Sequence, residues 1–111
     1  MESLDIAYRA REALLSKKGT DILIVDVRGT SPVTDYFILA TGATAPQLKA
    51  MSSAVVAELR QDDLACYRRS GGPDDGWMVL DYLDVVIHIF QTEVRAYYAI
   101  EELWADAPRV G

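Results

Sequence analysis

Two apolar segments separated by only two residues are the feature that most constrains how this chain can fold. Trp77 to Tyr82 and Val85 to Phe90 are rich in β-branched and aromatic residues, and only Leu83-Asp84 lies between them. A connection this short places two strands side by side as an antiparallel hairpin. The chain therefore contains a β-sheet, and its other segments must cover that sheet.

Helical and extended patterns alternate along the rest of the chain. The clearest helical period has apolar residues three or four positions apart, at Leu48, Met51, Val55 and Leu59, with Thr44 or a neighbour as its predicted cap. We predict two further helices, from Ser3 to about Lys18 and from Thr92 onward, with Ser3 and Thr92 as their caps. The other predicted strands are Asp21 to Val27, Tyr36 to Ala40 and Leu64 to Arg69.

This order of elements predicts one α+β domain over residues 1–105, in a chain of 111 residues. We expect a five-stranded mixed sheet with helices packed mainly on one face. The last helix is predicted to carry Val94, Tyr97, Tyr98, Leu103 and Trp104. Residues 106–111 are expected to form a short tail that frays.

The net charge of the chain indicates which classes of partner it can bind. Seventeen acidic residues against eleven basic ones give a net charge of −6, and the longest basic run is a pair. Binding to phosphate backbones normally uses a basic face, so we do not expect direct, sequence-specific nucleic-acid binding. An acidic surface suits a basic protein partner. Because no apolar run approaches the length of a membrane span and no signal-peptide pattern is present, we expect a cytoplasmic protein with no membrane contact.

The residue types that usually carry chemistry are scarce. Cys66 is the only cysteine and His88 the only histidine, which excludes an internal disulfide and a zinc site built from such ligands. Asp26 with Asp35, or Asp81 with Asp84, could in principle hold a metal or act in acid–base catalysis, but solvated turn residues are the simpler interpretation. We predict no metal, no cofactor and no catalytic residue.

His88 and the glycine turns also have plain structural interpretations. Strand alternation places His88 on one face with Val86 and Phe90, where a hydrogen-bonded core or interface role is favoured over general-base catalysis. Thr41-Gly42 lies between a strand and a helix start, a position that suits anions, although a structural turn is favoured. Gly71-Gly72 lacks the pattern of a phosphate-binding loop.

Large amphipathic rings are numerous for so small a domain. Tyr97 and Tyr98 are adjacent, so one helix face cannot bury both. Together with Tyr36, Trp77 and Tyr82 they indicate at least one protein interface, because tyrosine and tryptophan are enriched in such surfaces.

Taken in order, several segments resemble the Iojap family, the ribosomal silencing factors. The matching segments are Asp26–Gly29, Thr34–Gly42, Gly76–Tyr82, Asp84–Phe90, Arg95–Tyr98 and Leu103–Trp104. The resemblance implies a protein that binds ribosomal protein L fourteen on the large ribosomal subunit. Such a protein sterically blocks joining of the small subunit and lowers translation when nutrients are scarce. A role in large-subunit assembly is an alternative that the resemblance also allows.

The resemblance further implies a fold related to nucleotidyltransferases. Those enzymes place a glycine-serine pair at a helix start and two acids, one residue apart, on the next strand. Here Gly42-Ala43 stands at the first position, and the predicted strand from Leu64 to Arg69 contains no acid. The ligands for two-metal phosphoryl transfer are missing, so we predict that the chain is not an enzyme. A degenerate relative that still binds nucleotide at Thr41-Gly42 is the alternative.

Within these motifs, we infer which residues contact the partner. Trp77 and Tyr82 are expected to be apolar anchors, and Asp81 and Asp84 to pair with basic side chains of the partner. The remaining expected contacts are His88, Asp26, Arg28, Asp35, Tyr36, Arg95 and Tyr98. When free, the protein is expected to form a homodimer in which exposed aromatic rings bury one another.

Overall fold

In a computed structural model, which describes residues 2–99, 102 and 105–110, helices and strands follow one another in the predicted order. The described elements are α1 (Ser3–Ser16), β1 (Thr20–Asp26), β2 (Tyr36–Gly42), α2 (Ala45–Arg60), β3 (Arg68–Ser70), β4 (Trp77–Asp81), β5 (Val85–Gln91), α3 (Thr92–Tyr98) and β6 (Arg109–Val110). No helix within these described ranges is long and apolar enough to cross a membrane.

The strands form one mixed sheet with the order β3-β4-β5-β2-β1-β6. The central neighbours β2 and β5 run parallel, in register from Tyr36 opposite Val85 to Gly42 opposite Gln91. Every other neighbouring pair is antiparallel, including the predicted β4–β5 hairpin. The α+β class and the mixed sheet are therefore confirmed, with six strands instead of the five that we predicted.

Helices α1 and α2 cover one face of the sheet. The four periodic residues of α2 (Leu48, Met51, Val55 and Leu59) are all completely buried, which confirms the period read from the sequence. They pack with α1 and with the inward-facing residues of β5, at Val85, Ile87 and Ile89. Arg9 of α1 also bridges Glu58 and Asp62 near the end of α2, at 2.7 and 2.8 Å.

Helix α3 lies on the opposite face and covers only part of it. Leu39 of β2 and Phe90 of β5 are completely buried there. Leu23, Trp77 and Val94 pack against them. Phe37, Trp77 and His88 are partly buried on this face, and the helices are mainly on one face as predicted.

Two predictions about short segments are wrong. Strand β3 comprises only Arg68–Ser70, all exposed, instead of Leu64 to Arg69. The tail does not fray at its described end, because Arg109–Val110 pairs with β1 and Val110 packs against the core. The backbone N–H of Asp26 extends this pairing by donating to the carbonyl of Pro108 at 2.8 Å. The boundary between residues 105 and 106 stays a prediction.

Of the three N-terminal helix caps predicted from the sequence, the structure confirms one. Thr44 caps α2, since its hydroxyl accepts the backbone N–H of Gln47 at 3.2 Å. Ser3 and Thr92 are instead the first residues of α1 and α3, whose cap positions hold Glu2 and Gln91 without a side-chain bond. Helix α3 ends at Tyr98, followed by Ala99 in the left-handed region. Leu103 and Trp104, which we expected in this helix, lie outside the described residues.

Candidate functional site

The predicted contact residues separate into a buried group, a group at one end of the sheet, and a group on its open face. Three of them are buried: Tyr36, Tyr82 and Arg95. Five lie at the end of the sheet where β1 and β4 finish and β2 and β5 begin: Asp26, Arg28, Asp35, Asp81 and Asp84. Trp77, His88 and Tyr98 belong to the partly open face beside α3.

The buried group has structural roles. Tyr82 is only 7% exposed and packs in the core beneath α1 and α2, where burial raises the pKa of its hydroxyl to about 12. Tyr36 belongs to the same core. Arg95 of α3 is 6% exposed and donates to the carbonyl of Asp21 and to the hydroxyl of Thr41, each at 2.7 Å. The expected partner contacts through these three side chains are corrected, because none of them reaches the surface.

We call the group at the sheet end the acidic end, defined by Asp26, Asp35, Asp81 and Asp84 together with Arg28. Arg28 forms a two-pronged bond to the carboxylate of Asp26, with Nε and Nη2 donating at 3.0 and 2.7 Å. The backbone N–H of Arg28 donates to the same carboxylate at 3.0 Å. These bonds hold the pKa of Asp26 below its usual value, the side-chain bond most strongly. This pair fixes the loop and cancels its own charge.

The other three acids of the acidic end keep their charge available. The carbonyl of Asp84 accepts the backbone N–H groups of Asp35 and Tyr36, at 2.8 and 3.2 Å, which joins the hairpin turn to the β1–β2 loop. The carboxylate of Asp81 accepts the N–H of Leu83 inside the turn. Within the described part of the chain, no basic side chain forms an ion pair with Asp35, Asp81 or Asp84.

His88 lies within a group of rings on the open face, which we call the aromatic face (Phe37, Trp77, His88, Phe90 and Tyr98). The indole N–H of Trp77 donates to Nδ1 of His88 at 3.2 Å. Burial lowers the pKa of His88 to about 4, so the imidazole is neutral near pH 7 and its proton lies on Nε2. The centroid of the His88 ring lies 5.5 Å from that of Phe37 and 6.0 Å from that of Phe90. The histidine is thus a packed, hydrogen-bonded residue.

The aromatic face continues outward through α3. Tyr98 lies 5.5 Å from the Trp77 ring, and Tyr97 meets Tyr98 edge-on at 5.0 Å. Tyr97 is 81% exposed and Tyr98 is 54% exposed. Rings presented in this way are typical of surfaces that bind proteins.

The Thr41-Gly42 segment packs tightly against α2 on the Gly42 side. A Cβ atom on Gly42 would lie 2.7 Å from a methyl group of Leu48 and 3.1 Å from the sulfur of Met51, so this glycine serves close packing against α2. The N–H of Ala43 already donates to the side chain of Gln47 at 2.7 Å. No group of three or more metal-ligating side chains occurs among the residues that the structure describes.

The sequence interpretation missed one exposed residue at the acidic end. Leu83 is 53% exposed and has a φ of 70°, in the left-handed region. The available signal was its position in a two-residue hairpin turn, where glycine or asparagine is usual.

Comparison with known proteins gives one consistent family. Residues 1–111 match the family described as "Ribosomal silencing factor during starvation". The chain is 32% identical to the ribosomal silencing factor RsfS of Bacillus subtilis over 108 residues, which covers 97% of this chain and 92% of the relative. It is 36% identical to RsfS of Haemophilus influenzae over 94 residues, covering 85% and 92%. A crystal structure of a Chromobacterium violaceum protein is similar with a TM-score of 0.90 and 34% identity, covering 95% of this chain and 88% of that one.

Proposed function

The chain belongs to the family of ribosomal silencing factors, and we propose that it represses translation by binding the large ribosomal subunit and preventing the small subunit from joining. The proposed contact is ribosomal protein L fourteen, and the proposed location is the cytoplasm, where ribosomes work. The observation that carries the proposal is the acidic end, where Asp35, Asp81 and Asp84 have no ion pair within the described part of the chain.

Charge and size both support this proposal. The net charge of −6 suits a basic ribosomal protein, because opposite charges speed encounter and fix orientation. The described part of the molecule measures 33 × 32 × 23 Å. A rigid body of this size on a joining surface excludes the other subunit by volume alone, and no chemical step is needed.

Within the proposed surface, different residues have different tasks. Trp77 and His88 form a rigid aromatic surface, which Tyr98 extends. Asp81 and Asp84 supply charge for basic side chains of the partner. The Asp26–Arg28 pair shapes the neighbouring loop.

The experiment combines cosedimentation with purified large subunits and a subunit-joining assay. The double variant Asp35→Asn with Asp84→Asn removes two charges and keeps the backbone bonds of both residues. We expect binding to weaken about tenfold or more and inhibition of joining to weaken in parallel. The matched control is Asp5→Asn with Glu12→Gln on α1, which changes net charge equally at exposed positions. Unchanged binding by the first variant contradicts the proposed surface.

Other measurements distinguish the two alternative functions that the sequence allows. A large-subunit assembly factor would bind the same surface, but its removal would leave immature large subunits in growing cells. A nucleotide-binding protein would release heat with ATP and magnesium in calorimetry. The N–H of Ala43 already donates to Gln47, which occupies one donor that a phosphate would use.

We also propose that the free protein forms a homodimer through the exposed end of the aromatic face. Tyr97 and Tyr98 present large apolar area to solvent. Burying such rings against a second copy removes that area from water. Sedimentation over a range of concentrations tests the proposal, with Tyr97→Ser expected to shift the distribution toward monomer.

A further inference from the structure

The tip of the β4–β5 hairpin holds a leucine in a backbone conformation that leucine rarely adopts. Leu83 has a φ of 70°, where the Cβ atom of any non-glycine residue crowds the backbone. Glycine or asparagine would relieve this crowding, and Leu83 is 53% exposed and belongs to neither buried cluster. Neither the backbone nor the core gains from a leucine at this position.

The surrounding turn enforces that conformation. The carboxylate of Asp81 accepts the N–H of Leu83 at 2.8 Å. The N–H of Asp84 donates to the carbonyl of Tyr82, and the N–H of Tyr82 donates to the carbonyl of Val85, each at 2.9 Å. The carbonyl of Asp84 is in turn held by the β1–β2 loop. Leu83 is therefore an apolar side chain on a fixed support.

The charges around Leu83 indicate what it meets. Asp81 and Asp84 flank it in sequence, and Asp35 is joined to the turn through the backbone. None of the three has an ion pair in the described part of the chain. Acids repel nucleic-acid phosphates, so this tip does not suit RNA. An exposed apolar side chain surrounded by acids is complementary to an apolar protein pocket whose edge carries lysine or arginine.

We propose that Leu83 is the apolar anchor of the ribosomal contact, and that it inserts into an apolar, basic-rimmed pocket of a large-subunit protein. This inference rests on the proposed function and names a residue and a pocket chemistry within it. A preformed anchor loses little conformational freedom on binding, which favours affinity. The strained turn persists because its side chain is used in the complex and not in the free fold.

The test measures the affinity for purified large subunits and the thermal midpoint of the same variants. Leu83→Asn keeps nearly the same side-chain size, tolerates the left-handed conformation and removes the apolar surface. We expect binding to weaken about tenfold or more, while the midpoint stays equal or rises by about 2–5 °C because strain is relieved. Leu83→Gly is expected to behave in the same way. The control is Leu15→Gln, since Leu15 is 49% exposed in the ordinary helix α1.

The possible outcomes separate this inference from the proposed function. If the unaltered chain does not bind large subunits, the proposed function fails and the inference fails with it. If the unaltered chain binds and both Leu83 variants bind equally well, only the inference is overturned. A loss of binding that comes with a lower thermal midpoint also overturns it, because the residue would then support the fold. Weaker binding with an undiminished midpoint, and no effect of Leu15→Gln, supports it.

Discussion

His88 is held in an environment that disfavours its charged form, and this predicts a pH dependence of stability. The folded-state pKa is about 4, against an ordinary value of 6.5, because the ring is buried. Between these values the unfolded chain binds a proton that the folded chain does not. The free energy of unfolding therefore falls as pH drops from 6.5 toward 4, by at most about 3 kcal/mol.

The variant His88→Asn keeps an acceptor for the Trp77 indole and removes the titrating group. Urea unfolding at pH 7, 6, 5 and 4.5 should show a flatter pH dependence for the variant. Asp26 does not interfere, because its lowered pKa contributes stability that is lost only as pH falls below about 4. Equal losses in both proteins over this range would mean that His88 is not the group responsible.

Gly71 is required by its backbone position. Its φ is 71°, and a Cβ atom there would lie 2.2 Å from the carbonyl oxygen of Trp77. Gly71→Ala is expected to lower the free energy of unfolding by about 2 kcal/mol or more, because the rigid backbone of β4 must move. Gly29→Ala is the matched control, since nothing lies within 4 Å of its Cβ position. A similar loss in both variants, measured by denaturant unfolding, contradicts this explanation.

A sequence motif does not determine which of its residues are buried, as two residues of the predicted site show. Tyr82 and Asp84 belong to neighbouring motif segments, yet the first is core and the second is exposed. Alternation along a strand predicts two faces but does not say which face is covered. That choice depends on α1 and α2, which pack from distant parts of the chain.

At the level of elements, a buried arginine adds to the apolar contacts that hold α3 on the sheet. A helix of seven residues is not stable alone, and Arg95 ties it to the sheet through Asp21 and Thr41. We expect Arg95→Met to cost about 2–4 kcal/mol of unfolding free energy and to speed hydrogen exchange in α3, because buried acceptors lose their donor.

Thr41→Val is the control for this prediction. It keeps the side-chain shape and removes only the hydroxyl that accepts from Arg95, so it should cost clearly less than Arg95→Met. If α3 exchanges equally fast in the unaltered chain and in Arg95→Met, the arginine does not hold the helix.

Which elements could be predicted follows from how local their signals are. Helix α2 and the β4–β5 hairpin have long periodic patterns and a short turn, so the sequence identifies them. Strands β3 and β6 have three and two residues, too few for a period, and exist because a neighbouring strand offers hydrogen bonds. The parallel pairing of β2 with β5 joins distant segments and has no local signal.

For the molecule as a whole, composition predicts the net charge but not its distribution. Arg9 pairs with both Glu58 and Asp62 between α1 and α2, which leaves one negative charge in that group, and Arg28 neutralises Asp26. Asp35, Asp81 and Asp84 have no ion pair in the described part of the chain, so no neighbouring base offsets their charge at the acidic end. Only the folded chain brings Asp35 and Asp84 together.

This distribution predicts that salt acts on the rate of association with the large subunit. Screening shortens the range of electrostatic steering, so raising the salt from about 50 to about 300 mM should lower the association rate constant about fivefold, with little change in dissociation. Stopped-flow or surface-binding kinetics with large subunits measures both constants. In Asp35→Asn with Asp84→Asn the salt dependence should flatten, whereas Asp5→Asn with Glu12→Gln should retain it more fully. If removal of the two acids instead speeds association, repulsion from ribosomal RNA governs the approach. The exposed basic residues Arg68 and Arg69 of β3 then become the contacting surface in place of the acidic end.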